Sequence, residues 1–168
     1  AAAGAGGAVL FGGGLSNCPV RANRGGMCGG LIAADMTGPC ALNNCIVWGN
    51  TNTGGGATDV AVMAGSPAIR GTCASDGVTH GTDGCITNDP MFEVGGNGLS
   101  AGSPCIDAGN NAYAPTNVSP YDLAGNPRII DGTVDMGAYE HVDEAPCELS
   151  FTNGPSFGSA TLVITNCS

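Results

Sequence analysis

The sequence predicts an all-β solenoid, in which short parallel strands stack in successive rungs, and three observations point there. The first is composition: Gly supplies 30 of 168 residues without a strict three-residue period, which excludes collagen, while charged residues make up 11% and aromatic residues 5%. Small and β-branched residues dominate, and these suit closely packed sheets better than a core of large rings. The second is the local pattern. Runs such as Ile46-Val47-Trp48 are short, poor in helix formers, and end in turn residues such as Gly49-Asn50. The third is internal repetition.

The repeat is read from two signatures. LSNC at 15–18 and LNNC at 42–45 share the pattern Leu-x-Asn-Cys 27 residues apart, and Asn23 and Asn50 keep the same offset. A Gly-Gly strand precedes each, GGAVLF at 6–11 and GGLIAA at 29–34, and a degenerate third copy occupies 54–62 (GGGATDVAV). A period in the twenties marks a solenoid, because one turn cannot bury its inner face alone and must share a core with its neighbours. Equivalent residues then lie about 4.8 Å apart. This predicts a ladder of Cys18, Cys45 and Cys73, the last of them 28 residues after Cys45, with Asn17, Asn44 and Thr72 beside it. Asn23 and Asn50 form a second ladder at a corner, where Asn tolerates left-handed backbone angles and stacked amides can bond along the column.

The ladder gives several of the nine cysteines a packing role. No C-x-x-C pair suggests a metal site, and the set fits a secreted protein with several disulfides and one thiol left over. Cys28 and Cys40 flank an insertion (GGLIAADMTGP) in the second rung and are a candidate disulfide.

Lysine is absent; the cations are Arg21, Arg24, Arg70 and Arg128, and the net charge is −10. Phosphate backbones and anionic membranes would be repelled, which excludes nucleic-acid binding. No basic-then-apolar leader opens the chain and no apolar run approaches ~18 residues, so neither a signal peptide nor membrane insertion is expected. An exported chain would already have lost its leader.

From residue 84 the pattern changes to GCITNDPMFEV (84–94), GLSAGSPCIDAG (98–109) and YDLAGNPRIIDGTVDMGAYE (121–140). These segments resemble the C-terminal end of bacterial extracellular right-handed parallel β-helix proteins, including the choice-of-anchor group. The rungs at 6–62 resemble repeats of polymorphic outer-membrane proteins and related adhesins. The resemblance covers roughly residues 6–141, with SPCIDAG and DMGAYE its most specific motifs. It implies a right-handed coil, an extracellular or cell-surface location, and a closing segment beyond the rungs.

The expected organisation is therefore β-helix rungs at 1–83, a loop-rich cap at 84–144 that shields the last rung, and a tail at 145–168. In the tail, ELSF and ATLVIT are strand-like around Asn153-Gly154-Pro155, and a Cys147–Cys167 disulfide would staple a hairpin. Within the cap, Gly125-Asn126 forms a tight turn, and Arg128 is expected to pair with Asp122, Asp131 or Asp135.

The chemistry such a fold could host is constrained. Solenoid hydrolases need carboxylates converging from adjacent rungs, yet the rung acids Asp35, Asp59 and Asp76 are sparse and unrepeated. A lyase would want a basic residue as base, and there is no lysine; His80 and His141 have no nucleophile context. No catalytic residue and no cofactor are assigned. Asp122, Asn126, Asp131 and Asp135 offer hard oxygens to calcium, but turn caps together with an Arg128 pair account for them better. Asn117 and Asn166 match the glycosylation sequon.

The chain reaches rung-like sequence almost at once, so an open first-rung edge is expected. Head-to-tail contacts do not close on themselves and generate filaments. The expected function is a non-catalytic surface or matrix protein whose partners are copies of itself or other surface components. One alternative is a monomeric glycan-binding adhesin using Trp48, Tyr113, Tyr121 or Tyr139; a second is a polysaccharide-degrading fragment.

Overall fold

The computed structural model describes residues 6–143 in full, together with the backbone of 148–153 and 160–165. Three passes of the chain each lay one strand on each of several sheets. The first pass contributes β1 (Ala8–Leu10), β2 (Gly13–Ser16), β3 (Pro19–Arg21) and β4 (Arg24–Gly25). The second contributes β5 (Leu31–Ala34), β6 (Cys40–Asn43), β7 (Ile46–Trp48) and β8 (Thr51–Asn52). The third adds β9 (Val60–Ala64), β10 (Ala68–Arg70) and β11 (Cys73–Ala74). All pairings among them are parallel, giving sheets β1-β5-β9, β2-β6-β10, β3-β7-β11 and β4-β8. The protein is thus all-β and solenoid-like, and no α-helix occurs among the described residues.

Three sheets keep the 27-residue register. Leu15 pairs with Leu42 and Leu42 with Ile69; Pro19 pairs with Ile46 and Ile46 with Cys73. The first sheet departs from it, pairing Ala8 with Leu31 and Leu31 with Val60. Its strands are set off by corners of unequal length, and loop closure tolerates such additions at small entropic cost. The middle pass lies between the other two, so Leu31, Ala33, Leu42, Cys45 and Val47 are all fully buried.

This register corrects the predicted cysteine ladder. Cys18 and Cys45 do occupy equivalent positions, but Cys73 pairs with Ile46, and Thr72 takes the place over Cys45. The 28-residue gap to Cys73 was the sign of that shift. Asn23 and Asn50 are not themselves left-handed: at their corner the positive φ falls one residue earlier, on Ala22 (φ 54) and Gly49 (φ 68), while a longer left-handed row runs through Asn17 (φ 50), Asn44 (φ 51) and Gly71 (φ 50). At Gly71 an added Cβ would sit 2.8 Å from Asn44 Oδ1, so glycine serves here for space as well as angle.

Asn23 and Asn50 do bond to each other. Asn23 donates to Asn50 Oδ1 from its backbone N–H (2.9 Å) and its Nδ2 (3.0 Å). Asn50 Nδ2 donates in turn to Val20 O (2.9 Å) and Asp59 Oδ1 (2.8 Å).

Residues 84–143, expected as an end cap, run mainly along the side of the stack. Ile86 does extend the third sheet past β11, bridging to Cys73. The remainder covers the outer face of β3-β7-β11, where Ile46 and Cys73 are buried with Leu99, Cys105 and Met136. The left-handed row receives this flank. Asn17 Nδ2 donates to Asp135 O (3.1 Å), Asn44 exchanges two hydrogen bonds with the Asn110 backbone, and Gly71 N donates to Asp83 O (2.9 Å). Arg21 and Arg70 grip it from the first and third passes, stacking over Phe92 (4.4 Å) and Tyr113 (5.2 Å).

The predicted Cys28–Cys40 disulfide is absent. Both thiols are free and buried; Cys28 donates to Thr58 O (3.3 Å) and Cys40 to Ala34 O (3.3 Å), at opposite ends of β5. Beyond the flank, β12 (Glu148–Asn153) and β13 (Ala160–Thr165) pair antiparallel, in the strand-like stretches the sequence marks. Cys147 and Cys167 lie outside the described residues.

Asn50 is 1% exposed, so its truncation strands buried polar groups on two sides. Asn50→Ala is expected to cost about 3 kcal/mol, because Asp59 and Val20 O lose a donor, and Asn23→Ala only about 1 kcal/mol. Urea unfolding of the two variants checks this; equal losses would remove the column's special standing.

Candidate functional site

Two regions qualify as functional surface. The first is the end of the stack at β9; the neighbouring β10 is already overlain by the segment carrying Asp83 and Cys85, which meets Gly71 N and Ile69 O. Register makes Val62 the successor of Leu10 and Ala33, whose side chains face the core at 9% and 0% exposure. Val62 is 47% exposed and the adjacent Met63 54%, because no strand follows β9 on that sheet among the described residues. At the other end Ala8, Leu15 and Val20 are only partly buried against the same core. Phe11 and Met36 add exposed apolar surface at the corner after β1 and β5, where Met36 N donates to Phe11 O (3.2 Å).

The second region lies in the flank. A cleft of about 550 Å³ opens between residues 93–101 and 124–143, lined by Glu93, Asn126, Tyr139, Glu140, His141 and Asp143 among others. His141 contacts Leu99 O through Nδ1 (3.0 Å) and Asp143 through Nε2 (3.3 Å). Behind it sits a buried polar network. Arg128 pairs with Glu140 at 3.2 Å, in place of the expected Asp122, Asp131 or Asp135, and also donates to the carbonyls of Gly137 and Ala138. Glu140 Oε2 accepts from Asp135 N (3.0 Å).

The acids proposed for calcium serve other ends. Asp122 accepts from the backbone N–H groups of Ala124, Asn126 and Glu140, each at 2.8 Å, and also from Asn126 Nδ2. Asp135 accepts from Asp107 N and His141 N. Asp131 is exposed at a positive-φ turn position. Among the described residues no group of three or more His, Cys, Asp or Glu is arranged to hold a metal ion.

The rung acids behave alike. Asp59 is fully buried and accepts from Asn50 and Ser75, Asp76 accepts from Asp59 N and Val60 N, and Asp35 ties Cys40 N (2.7 Å) to Ser66 N (2.8 Å). Sequence reasoning offered turn capping for the acids between 122 and 135 but not for the rung acids, and it missed Glu140. The clue available was their position in Gly- and Asn-rich loops, where unpaired N–H groups accumulate.

The aromatic residues do not share a face. Trp48 packs partly buried against the flank cluster, Tyr113 lies beside Arg70, Tyr121 is exposed, and Tyr139 lines the cleft. His80 is exposed and accepts from Thr87 N (3.1 Å). No helix among the described residues is long and apolar enough to cross a membrane. Comparison with protein-family models, with curated proteins and with solved structures finds no match to the chain.

Burial pushes the Glu140 carboxyl from 4.5 up to about 7, against the opposing pull of the Asp135 N–H and the Arg128 charge, and it raises Asp135 as well. An acid raised by folding binds its proton more tightly in the folded chain. The stability it contributes is complete below about pH 4.5 and is lost as pH rises through about 7. Asp122 runs the other way: burial raises it, but the hydrogen bonds from Glu140, Asn126 and Ala124 together hold it below 3.8, so its contribution is lost in acid. The urea midpoint is therefore expected to fall between pH 5 and pH 8, and Glu140→Gln to flatten that slope. An unchanged slope in the variant would assign the effect to other groups.

Proposed function

We propose that this chain is a right-handed parallel β-helix of the bacterial extracellular kind, and that it acts as a non-catalytic structural element which extends by adding copies head to tail. The handedness is supported by the parallel strand order, since about 98% of such crossovers in one sheet are right-handed. The motifs SPCIDAG and DMGAYE, and the Gly- and Asn-rich rungs, support the kinship and with it an extracellular or cell-surface location.

One observation carries the assembly reading. Val62, in register with the core-facing Leu10 and Ala33, is half exposed on β9, beyond which no further strand pairs among the described residues, although Asp76 already accepts from Val60 N at that edge. Buried core rows and open edges are what an added rung would cover, and burying Val62 and Met63 side chains is worth about 25 cal/mol per Å² of apolar surface removed from water. The partner in this reading is a second copy presenting its β1-β2-β3 end. Because each copy is acidic, the contact should strengthen with ionic strength.

A second reading, a monomeric glycan-binding module, is favoured by the 550 Å³ cleft, where Tyr139 offers a stacking face beside Glu93, Asn126 and Asp143 as hydroxyl partners.

Negative-stain electron microscopy of the native chain distinguishes the two. Regular fibres are expected, growing with protein concentration and salt. Val62→Asp should disperse them while leaving the far-ultraviolet circular dichroism spectrum unchanged. Single particles at every concentration would rule out assembly through the open end, and glycan binding lost in Tyr139→Ala would then support the second reading.

A further inference from the structure

The seven described cysteines are all free thiols, and six of them donate to a backbone carbonyl: Cys18 to Ser16, Cys28 to Thr58, Cys40 to Ala34, Cys45 to Asn43, Cys73 to Asn88 and Cys85 to Ile69. Cys105 differs. It is buried beside Cys73 in the cluster formed with Ile46, Leu99 and Met136, and both cysteines are 0% exposed. The two sulfurs come from different parts of the architecture. Cys73 lies in β11, in register with Ile46, while Cys105 belongs to the flank, held there by the Met136 N–H on its carbonyl (3.0 Å).

We propose that Cys73 and Cys105 are a disulfide site, forming an intrachain bond that fastens the flank to the third sheet when the folding chain meets a small-molecule disulfide such as oxidised glutathione.

The exchange balances without any other reagent. One cysteine thiolate attacks a sulfur of the glutathione disulfide, and one glutathione thiolate leaves. The second cysteine thiolate then attacks the protein sulfur of that mixed disulfide and expels the second glutathione. The chain loses two protons and two electrons, and the oxidant becomes two glutathione thiols. Timing follows from burial. Each sulfur is enclosed in the seated flank, and the neighbouring Cys105 together with burial raises the Cys73 pKa far above an ordinary thiol. Thiolate is the reactive form, so exchange belongs to the stage before the flank closes or to its transient opening. Once made, the bond closes a loop that includes the whole segment from β11 to the flank's centre, and it restricts the unfolded chain accordingly.

The stacked pair Cys18 and Cys45 is the rival. Their sulfurs point to separate carbonyls, Ser16 O at 3.2 Å and Asn43 O at 3.3 Å, and they join strands already hydrogen-bonded in register.

The test refolds the full chain from denaturant in a mixture of reduced and oxidised glutathione and caps remaining thiols with N-ethylmaleimide. Asp76, Asp83 and Asp89 separate the two cysteines, so an aspartate-directed protease places them on different peptides for mass spectrometry. The expected result is a linked pair of peptides carrying Cys73 and Cys105, neither of them alkylated. The oxidised chain should unfold at a higher urea concentration than the same chain reduced, a comparison that needs no variant. The difference should vanish in Cys105→Ala, or in Cys73→Ala should the former fail to fold. Alkylation of both cysteines would overturn the proposal, as would linkage of either one to Cys18, Cys45, Cys85, Cys147 or Cys167.

Discussion

Near the corner leading out of the third sheet, Asn50 accepts two hydrogen bonds from Asn23 and passes its own donors to Val20 O and the buried carboxylate of Asp59. Asp59 also accepts the backbone N–H and hydroxyl of Ser75, so one column links all three passes. Such a column fixes register, because a slip of one residue along any strand would leave Asp59 buried without donors and turn every inward side chain outward. The 27-residue offset in three of the sheets follows from it. The corners before β6 and β9 are the longer ones, and they are where the passes differ in length.

The third sheet is the only one of the stack with a packed cluster on each face among the described residues. Val47 and Ala74 face the main core, while Ile46 and Cys73 face the flank. Parallel strands covered on both sides read as continuous apolar runs, which accounts for the unalternating Ile46-Val47-Trp48. Gly137 belongs to the same argument. It adopts φ 98, and a Cβ there would come within 3.0 Å of Ile46 Cδ1, so the flank can approach β7 closely only without a side chain at that point.

The stack was legible in the sequence because its signal is periodic: Leu15 and Leu42, Asn17 and Asn44, and Asn23 and Asn50 repeat at one spacing. Cys73 was misplaced because residue identity, a second Cys near the right position, outweighed strict spacing, and the structure keeps the spacing. The left-handed angles were assigned to Asn23 and Asn50 because Asn tolerates them; the backbone places them one residue earlier, on Ala22 and Gly49, and separately on Asn17 and Asn44. The flank's lateral course was not readable at all, since it depends on contacts between residues such as Asn17 and Asp135 that lie 118 positions apart. The partner of Arg128 was missed for the opposite reason. Three aspartates lay closer in sequence than Glu140, but two of them were already committed to backbone N–H groups in the loop.

That commitment explains how a chain of net charge −10 folds with so few ion pairs among the described residues. A coil made of short strands leaves many corner N–H groups without ladder partners, and a carboxylate can accept two or three of them at once. Asp35, Asp59, Asp122 and Asp135 are used in this way, so the acidity is a consequence of corner chemistry before it is a property of the surface. The arginines are spent equally locally, on Phe92, Tyr113, Glu140 and the Thr53 carbonyl. Among the exposed apolar side chains outside these internal uses are Val62 and Met63 on β9, past which no strand follows on that sheet among the described residues. A parallel stack has two chemically different ends, so in the proposed assembly a copy covering this one would leave its own equivalent end uncovered, and the contact would repeat into a filament, or into a ring where the rotation closes.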